Sequence, residues 1–201
     1  MAYDKFTFKM ALKEFNLSLR EVQGLFADAP EIQPTKYWQE MLPEYKALAL
    51  SINTGKAKSE LLIAPILVDV RRHLNNSISL FSGIEFDVDK DRGLNGFCDF
   101  MITQSPIQQF VSAPILAIAE AKNDNPPNGF GQCVTEMVAA RIFNEREGTP
   151  RETIYCVSTT GTAWRFLKLE GNRVILDNRN YYISELEKIL GILIYIVSYE
   201  V

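Results

Sequence analysis

A mixed α/β fold, one sheet flanked by helices, is the fold class the sequence predicts. Three observations predict it. Short apolar runs alternate with longer segments of helical periodicity. These elements come in the order α, β, β, β, α, β and then β, β, α, which suits a mixed sheet with helices on its faces. The 201 residues are 47% hydrophobic, enough to bury one core, and no repeat, low-complexity tract or linker divides them. One domain over 1–201 is therefore expected: a helical N-terminal extension (1–55), a core (56–160) and a C-terminal β-hairpin and helix (161–201).

Each element has its own signal. In the extension, Ser18 and Glu21 of "SLREV" sit at capping-box spacing, and an apolar helical run covers residues 43–51. "NTG" at 53–55 breaks the chain before a stronger helix over 58–74, in which Pro65 predicts a kink or a break. Strands follow at 78–87, 96–103, 114–122 and 153–158, with a helix over 131–146 between the last two. Strands at 163–169 and 173–177 form a hairpin around "EGN", and a capping box of Ser184 and Glu187 opens the final helix.

Composition narrows the function classes. The formal net charge of −4 and pI near 5.2 supply no global positive field, so nucleic-acid contact must use a local patch. Cys98, Cys133 and Cys156 are scattered in apolar contexts, which predicts buried free thiols and argues against a secreted disulfide framework. The N-terminus lacks the apolar stretch of a signal peptide, and the most apolar run, "ILGILIYIV" at 189–197, is too short to span a bilayer. A cytoplasmic protein with no membrane partner is the expectation. The one histidine, His73, follows Arg71 and Arg72 at a helix end, so His-based triads and zinc sites are excluded.

Charge appears where core residues belong. Side chains alternate along a strand, so Phe97, Asp99 and Met101 share one face of "GFCDFMIT". Leu116, Ile118, Glu120 and Lys122 share one face of "ILAIAEAKND". If these strands are neighbours, Asp99 and Glu120 approach each other, and two anions in an apolar site call for a cation. Carboxylates and waters are the ligands Mg²⁺ prefers, with a substrate phosphate completing its shell. Lys122 points into the same site, where an ammonium orients an attacking water or stabilises charge on a pentavalent phosphate. Gln132, on the next helix, shares a face with Glu136 and Phe143 and is placed to contact a phosphate or water. Glu60 opens the predicted buried stripe of "SELLIAPILVDVRRHL" with Ile63, Ala64, Leu67 and Leu74, and Asp69 falls opposite. An E-x-K triplet alone carries little, and Glu44-Tyr45-Lys46 is a second copy in a helical run. Glu120-Ala121-Lys122 differs because it ends an apolar strand, follows Asp99 at strand-pairing distance and precedes a Gln-bearing helix.

This arrangement resembles the PD-(D/E)xK nuclease superfamily, the restriction-endonuclease-like fold, over residues 56–160. The core of that family is a helix with a Glu, a meander of three strands carrying Asp and then (D/E)xK, a helix and a further strand. The resemblance implies an αβββαβ core with flanking helices. It also implies a Mg²⁺- or Mn²⁺-dependent endonuclease that hydrolyses phosphodiester bonds in nucleic acid, with DNA as the expected substrate. Asp99 and Glu120 would be metal ligands, Lys122 the catalytic lysine, Glu60 the accessory helix carboxylate and Gln132 the helix polar residue. "SELLIAPIL" is also similar to the opening helix of the nuclease domain in type I restriction subunits, where a Pro at this spacing is familiar. Cys98 stands where the family pattern has Pro, a position at which many members differ. Such nucleases often pair to cut two strands, which makes a homodimer an expectation.

The competing reading of Asp99, Glu120 and Lys122 is a salt-bridged sheet edge, or an inactive nuclease fold used as a binding or assembly module. Glu60 also suits a helix N-terminus, and Gln132 an ordinary first turn. Lys56, Lys58, Lys90, Arg92 and Arg141 are the local basic residues, with Lys58 and Arg141 the leading candidates for substrate contact. Phe130 is placed to stack on a base or to pack in the core. "DVDKDRGLN" at 87–95 has Arg92 where a calcium loop needs Gly, so it reads as a solvated turn. "NDNPPNGFG" at 123–131 lacks the Lys-Ser/Thr ending of a phosphate loop and reads as a flexible lip beside the site. No glycine-rich cofactor motif or nucleophile elbow supports small-molecule chemistry.

Overall fold

The apolar runs become strands β2 (Ser79–Glu85), β3 (Phe97–Thr103), β4 (Ile115–Ala121) and β5 (Thr153–Thr159), followed by β6 (Ala163–Glu170) and β7 (Arg173–Asp177). Two short strands, β1 (Ser18–Val22) and β8 (Tyr181–Tyr182), complete the set. In this computed structural model, which describes residues 2–198, they form one mixed sheet ordered β1-β7-β6-β5-β4-β3-β2, with β8 on β6. The β2-β3-β4 meander is antiparallel, whereas β4 and β5 run parallel. A parallel pair needs a crossover, and α5 (Phe130–Arg146) supplies it.

Alternation along the strands sorts the core into two layers. Phe100, Ile102, Ala117, Ala119 and Val157 pack with Trp38, Leu62, Ile66, Leu67 and Ile189. Those partners come from α2 (Lys36–Ile52), the helix ending in α4 (Ala64–His73), and α6 (Leu186–Ser198). On the other side Met101, Ile118, Ile154 and Cys156 pack against Phe130, Val134 and Met137 of α5. Each fully buried Leu, Ile or Phe contributes about 1.5–3 kcal/mol, so these layers dominate stability. All three cysteines are free and buried, as their contexts predict. Among the described residues no helix is long and apolar enough to cross a membrane.

From residue 130 to residue 140 every position of α5 is buried, because the N-terminal segment covers its outer side. Tyr3 Oη donates to the Phe86 carbonyl at 2.7 Å, and α1 (Phe8–Glu14) lies along α5. Gly131 makes this possible: a Cβ there would collide with the Phe6 carbonyl. The N-terminal segment is thus an outer layer of the fold and not solely a helical extension. Ser18 and Glu21 do not cap a helix; they lie in β1, which pairs in parallel with β7 and is exposed along most of its length.

Two other helix starts differ from the expected ones. α2 starts at Lys36, ahead of the expected 43, because Trp38 is buried to 2% exposure and draws the first turn onto the core. Pro43 is tolerated inside α2 because it is exposed, so its missing N–H leaves a carbonyl near water. The final helix is not capped by Ser184; a 3₁₀ turn at Ile183–Glu185 precedes it, and Glu185 accepts from the Tyr182 N–H at 3.3 Å.

The helix expected over 58–74 runs instead as α3 (Gly55–Lys58), a π turn (Ser59–Ile63) and α4. Thr54 caps it, accepting from the Ala57 N–H at 3.1 Å. Its π turn carries the Ala64 N–H to the Ser59 carbonyl, an i to i−5 bond, just before Pro65. Pro65 therefore neither breaks nor ends the helix. The extra residue in that turn changes the phase of everything before it.

Candidate active site

Asp99 and Glu120 are brought to neighbouring strands by the β3–β4 pairing. Phe100 pairs with Ala119 and Met101 with Ile118, which brings Asp99 alongside the Glu120–Ala121 end of β4. The Asp99 carboxylate accepts from the Ala121 N–H at 2.8 Å. It lines a polar mouth of about 290 Å³ with Gly55, Lys56, Ser59, Ala121 and Asn123. Glu120 is 2% exposed and turned toward α5, and on the other flank it pairs with Ser158 of β5.

Lys122 is held just past the end of β4 by its N–H to the Thr159 carbonyl at 2.7 Å. Its ammonium Nζ donates to Glu120 Oε1 at 2.5 Å and to Gln132 Oε1 at 3.0 Å. Gln132 Nε2 in turn donates to Glu136 Oε1 at 3.1 Å, one turn further along α5. Glu136 is fully buried, and the second oxygens of both Glu120 and Glu136 have no hydrogen-bond partner among the described residues.

The approach to Lys122 is shaped by the segment expected to be a loose lip. It is a 3₁₀ turn, Pro126–Gly129, pinned by Ser158 Oγ donating to the Pro126 carbonyl at 2.6 Å. A Cβ on Gly129 would collide with the Ser158 hydroxyl and come within 3.0 Å of Lys122 Cε, so only glycine lets the lysine pass.

Burial, reinforced by the charges of Glu136 and Asp99, pushes the Glu120 carboxyl well above the usual carboxylate range, and Lys122 opposes that rise. Glu136 is raised as well, chiefly by burial, with the Gln132 hydrogen bond working against it. For Lys122 burial acts downward, but the charge and hydrogen bond of Glu120 carry it net upward, so it stays an ammonium. A buried acid pair with one amine is short of positive charge. The donors are all oxygens, and Glu120 presents one with no partner, which suits a hard cation such as Mg²⁺ held by one or two carboxylates and waters. Among the described residues, no three His, Cys, Asp or Glu side chains converge closely enough to hold an ion by themselves. Any ion here would have no more than two of these carboxylates as ligands, with water and substrate oxygens completing its shell.

Other predicted residues lie elsewhere. Glu60 does not open the buried stripe: it is exposed, pairs with Lys56 at 2.6 Å, and lines a separate cavity with Tyr37, Trp38 and Tyr45. Asp69, expected on the open side, is 1% exposed and accepts from the Thr35 N–H at 3.1 Å and its hydroxyl at 2.5 Å. The π turn explains the error about Glu60, since one added residue rotates the preceding side chains by about 100°. Arg141 follows Gln132 by nine positions, about 13.5 Å along α5, and donates to the Gly171 carbonyl, so it does not join the cluster. Lys58 is half-buried on α3, against Gly161, while Lys56 of the same short helix reaches the mouth. Lys90 pairs with Asp87 at 2.7 Å, and Arg92 lies over the Phe15 ring, both away from the acids. Phe130 packs edge-on against Phe8 and is buried. Glu136 is a further acid of this cluster, and its signal in the sequence is an acid within the mostly apolar helix "GQCVTEMVAA".

Compared with known proteins, the chain matches no family model, no curated protein and no solved structure. What fold and site together define is a class: an α/β protein whose mixed sheet carries a buried acid, lysine and amide cluster where β4 hands over to α5.

Proposed function

We propose that the protein is a Mg²⁺-dependent nuclease that hydrolyses phosphodiester bonds in nucleic acid, DNA foremost. One observation carries the reading: Lys122 is clamped between Glu120 and Gln132, beside Asp99, while a buried oxygen of Glu120 has no partner. The element order adds support, because helix, three-strand meander, crossover helix and parallel strand is the core that PD-(D/E)xK nucleases share.

Asp99 and Glu120 would hold the ion, with Mn²⁺ as a substitute. The ion, when bound, supplies Lewis acidity to the phosphate and lowers the pKa of a coordinated water. Lys122 orients the attacking water and stabilises charge on the phosphorane oxygens from a fixed position. Gln132 holds the amine in that position. Lys56 contacts the phosphates that enter by the Asp99 mouth. Glu60, exposed and paired with Lys56, has no part in this assignment.

The test is cleavage of DNA by purified protein with Mg²⁺, set beside Lys122→Ala. Cleavage should fall by about 10²- to 10³-fold in the variant. Equal cleavage by both proteins would mark a contaminant and defeat the reading. The acidic balance and the closed Lys122–Glu120 pair favour a second reading, an inactive fold used for binding or assembly. In that case Mg²⁺ and Mn²⁺ should give no thermal stabilisation that depends on Asp99.

A further inference from the structure

We infer that Glu136 is a positioning residue that locks the Gln132 amide and, through it, the catalytic amine; the inference rests on the proposed nuclease reading. An amide of glutamine has two ends of nearly equal shape, a carbonyl that accepts and an NH₂ that donates. Which end faces Lys122 decides whether Gln132 holds the ammonium or repels it. The Lys122 ammonium can only donate, and it meets Gln132 Oε1 at 3.0 Å. Glu136 Oε1 accepts from Gln132 Nε2 at 3.1 Å from the far side. Only one orientation of the amide satisfies both neighbours.

The setting makes that choice costly to undo. Gln132 is 8% exposed and Glu136 0%, so an NH₂ without its acceptor would find no water to replace it. The spacing of four on α5 stacks the two side chains on one face. Cys98 lies against Glu136 from β3, immediately before Asp99. Glu136 therefore acts on the reaction at one remove. The amine, the amide and the acid form one hydrogen-bonded row from the half-buried Lys122 into the core.

Three variants and one spectrum test this. Glu136→Met removes the acceptor at similar volume, Glu136→Gln retains an acceptor, and Gln132→Met removes the amide. Glu136→Met should lower kcat by roughly 10- to 100-fold while KM stays within about threefold. Glu136→Gln should recover most of that loss. In a Gln132→Met background, Glu136→Met should cost little more, because the route runs through the amide.

The spectrum is read on the metal-free protein: the Gln132 side-chain NH₂, seen with ¹⁵N-labelled glutamine, should exchange slowly with solvent, with the proton facing Glu136 shifted from its free position. Both the protection and the shift should be lost in Glu136→Met and return in Glu136→Gln. Fast exchange in the wild type, or unmoved Gln132 signals in Glu136→Met, would overturn the inference, the first without any variant needing to fold. If the signals behave as expected but the wild type cleaves nothing with Mg²⁺, the amide lock stands and the nuclease reading fails.

Discussion

Two carboxylates in this protein are equally hidden from water and quite differently served. Asp177, 0% exposed at the end of β7, has both oxygens fully engaged. One accepts from the N–H groups of Gly24 and Arg179, both at 2.9 Å; the other accepts from the Leu25 N–H at 3.0 Å and the Tyr181 hydroxyl at 2.9 Å. Glu120, 2% exposed, has one oxygen on Lys122 and one with no partner, and two further acids raise its proton affinity. A fully satisfied buried acid organises its surroundings. An unsatisfied one costs stability and persists where something else is meant to complete it. Asp69, engaged by Thr35 through both oxygens, belongs with Asp177.

Three substitutions would break or sharpen that contrast. The largest stability effect belongs to Asp177→Ala, which strips four hydrogen bonds, two from the turn after β1, one from the Arg179 N–H and one from the Tyr181 hydroxyl. Denaturant unfolding should show a loss of about 3–5 kcal/mol. A loss under 1 kcal/mol would erase the distinction.

Glu120→Gln should do the reverse, raising stability of the metal-free protein by about 1 kcal/mol at pH 8 while abolishing its stabilisation by Mg²⁺. The pH dependence follows from sign. The folded chain holds the Glu120 proton more tightly than the unfolded chain does. That stability is present in full below the usual carboxylate range and is lost progressively as the pH climbs toward about 11, where the folded-state carboxyl gives up its proton. Melting temperatures of the wild type should decline across this window, and those of Glu120→Gln should decline less.

The smallest effect is expected for Glu60→Ala. Its partner Lys56 is exposed, so unfolding free energy should move by no more than about 0.5 kcal/mol, with cleavage unaltered. A hundredfold loss of cleavage would return Glu60 to the site.

Much of this was legible in the sequence, for physical reasons. β2 to β5 and α5 are long apolar elements whose periodicity is set by burial, and they appear within a residue or two of where the pattern puts them. Lys122, Glu120 and Gln132 meet because a strand end and the following helix place them together whatever the rest of the chain does. β1 was illegible because four of its five residues are exposed, leaving no apolar alternation to read, and its pairing depends on β7, far along the chain. Leu116 also escaped the face rule: it packs in the layer opposite Ile118, near the irregular register at Ile102 and Thr103. Glu60 was misassigned because a helical wheel presumes a constant 3.6-residue turn, and no local residue pattern announced the wider one.

That wider turn leaves the direction of Glu60 hanging on a single peptide unit. Removing one residue from Ser59–Ile63 would rewind the segment to an ordinary α-helix and swing α3 by about 100° relative to α4. The same shortening would carry Lys56 and Ser59 off the entrance beside Asp99. One codon lost would thus strip that doorway of an amine and a hydroxyl.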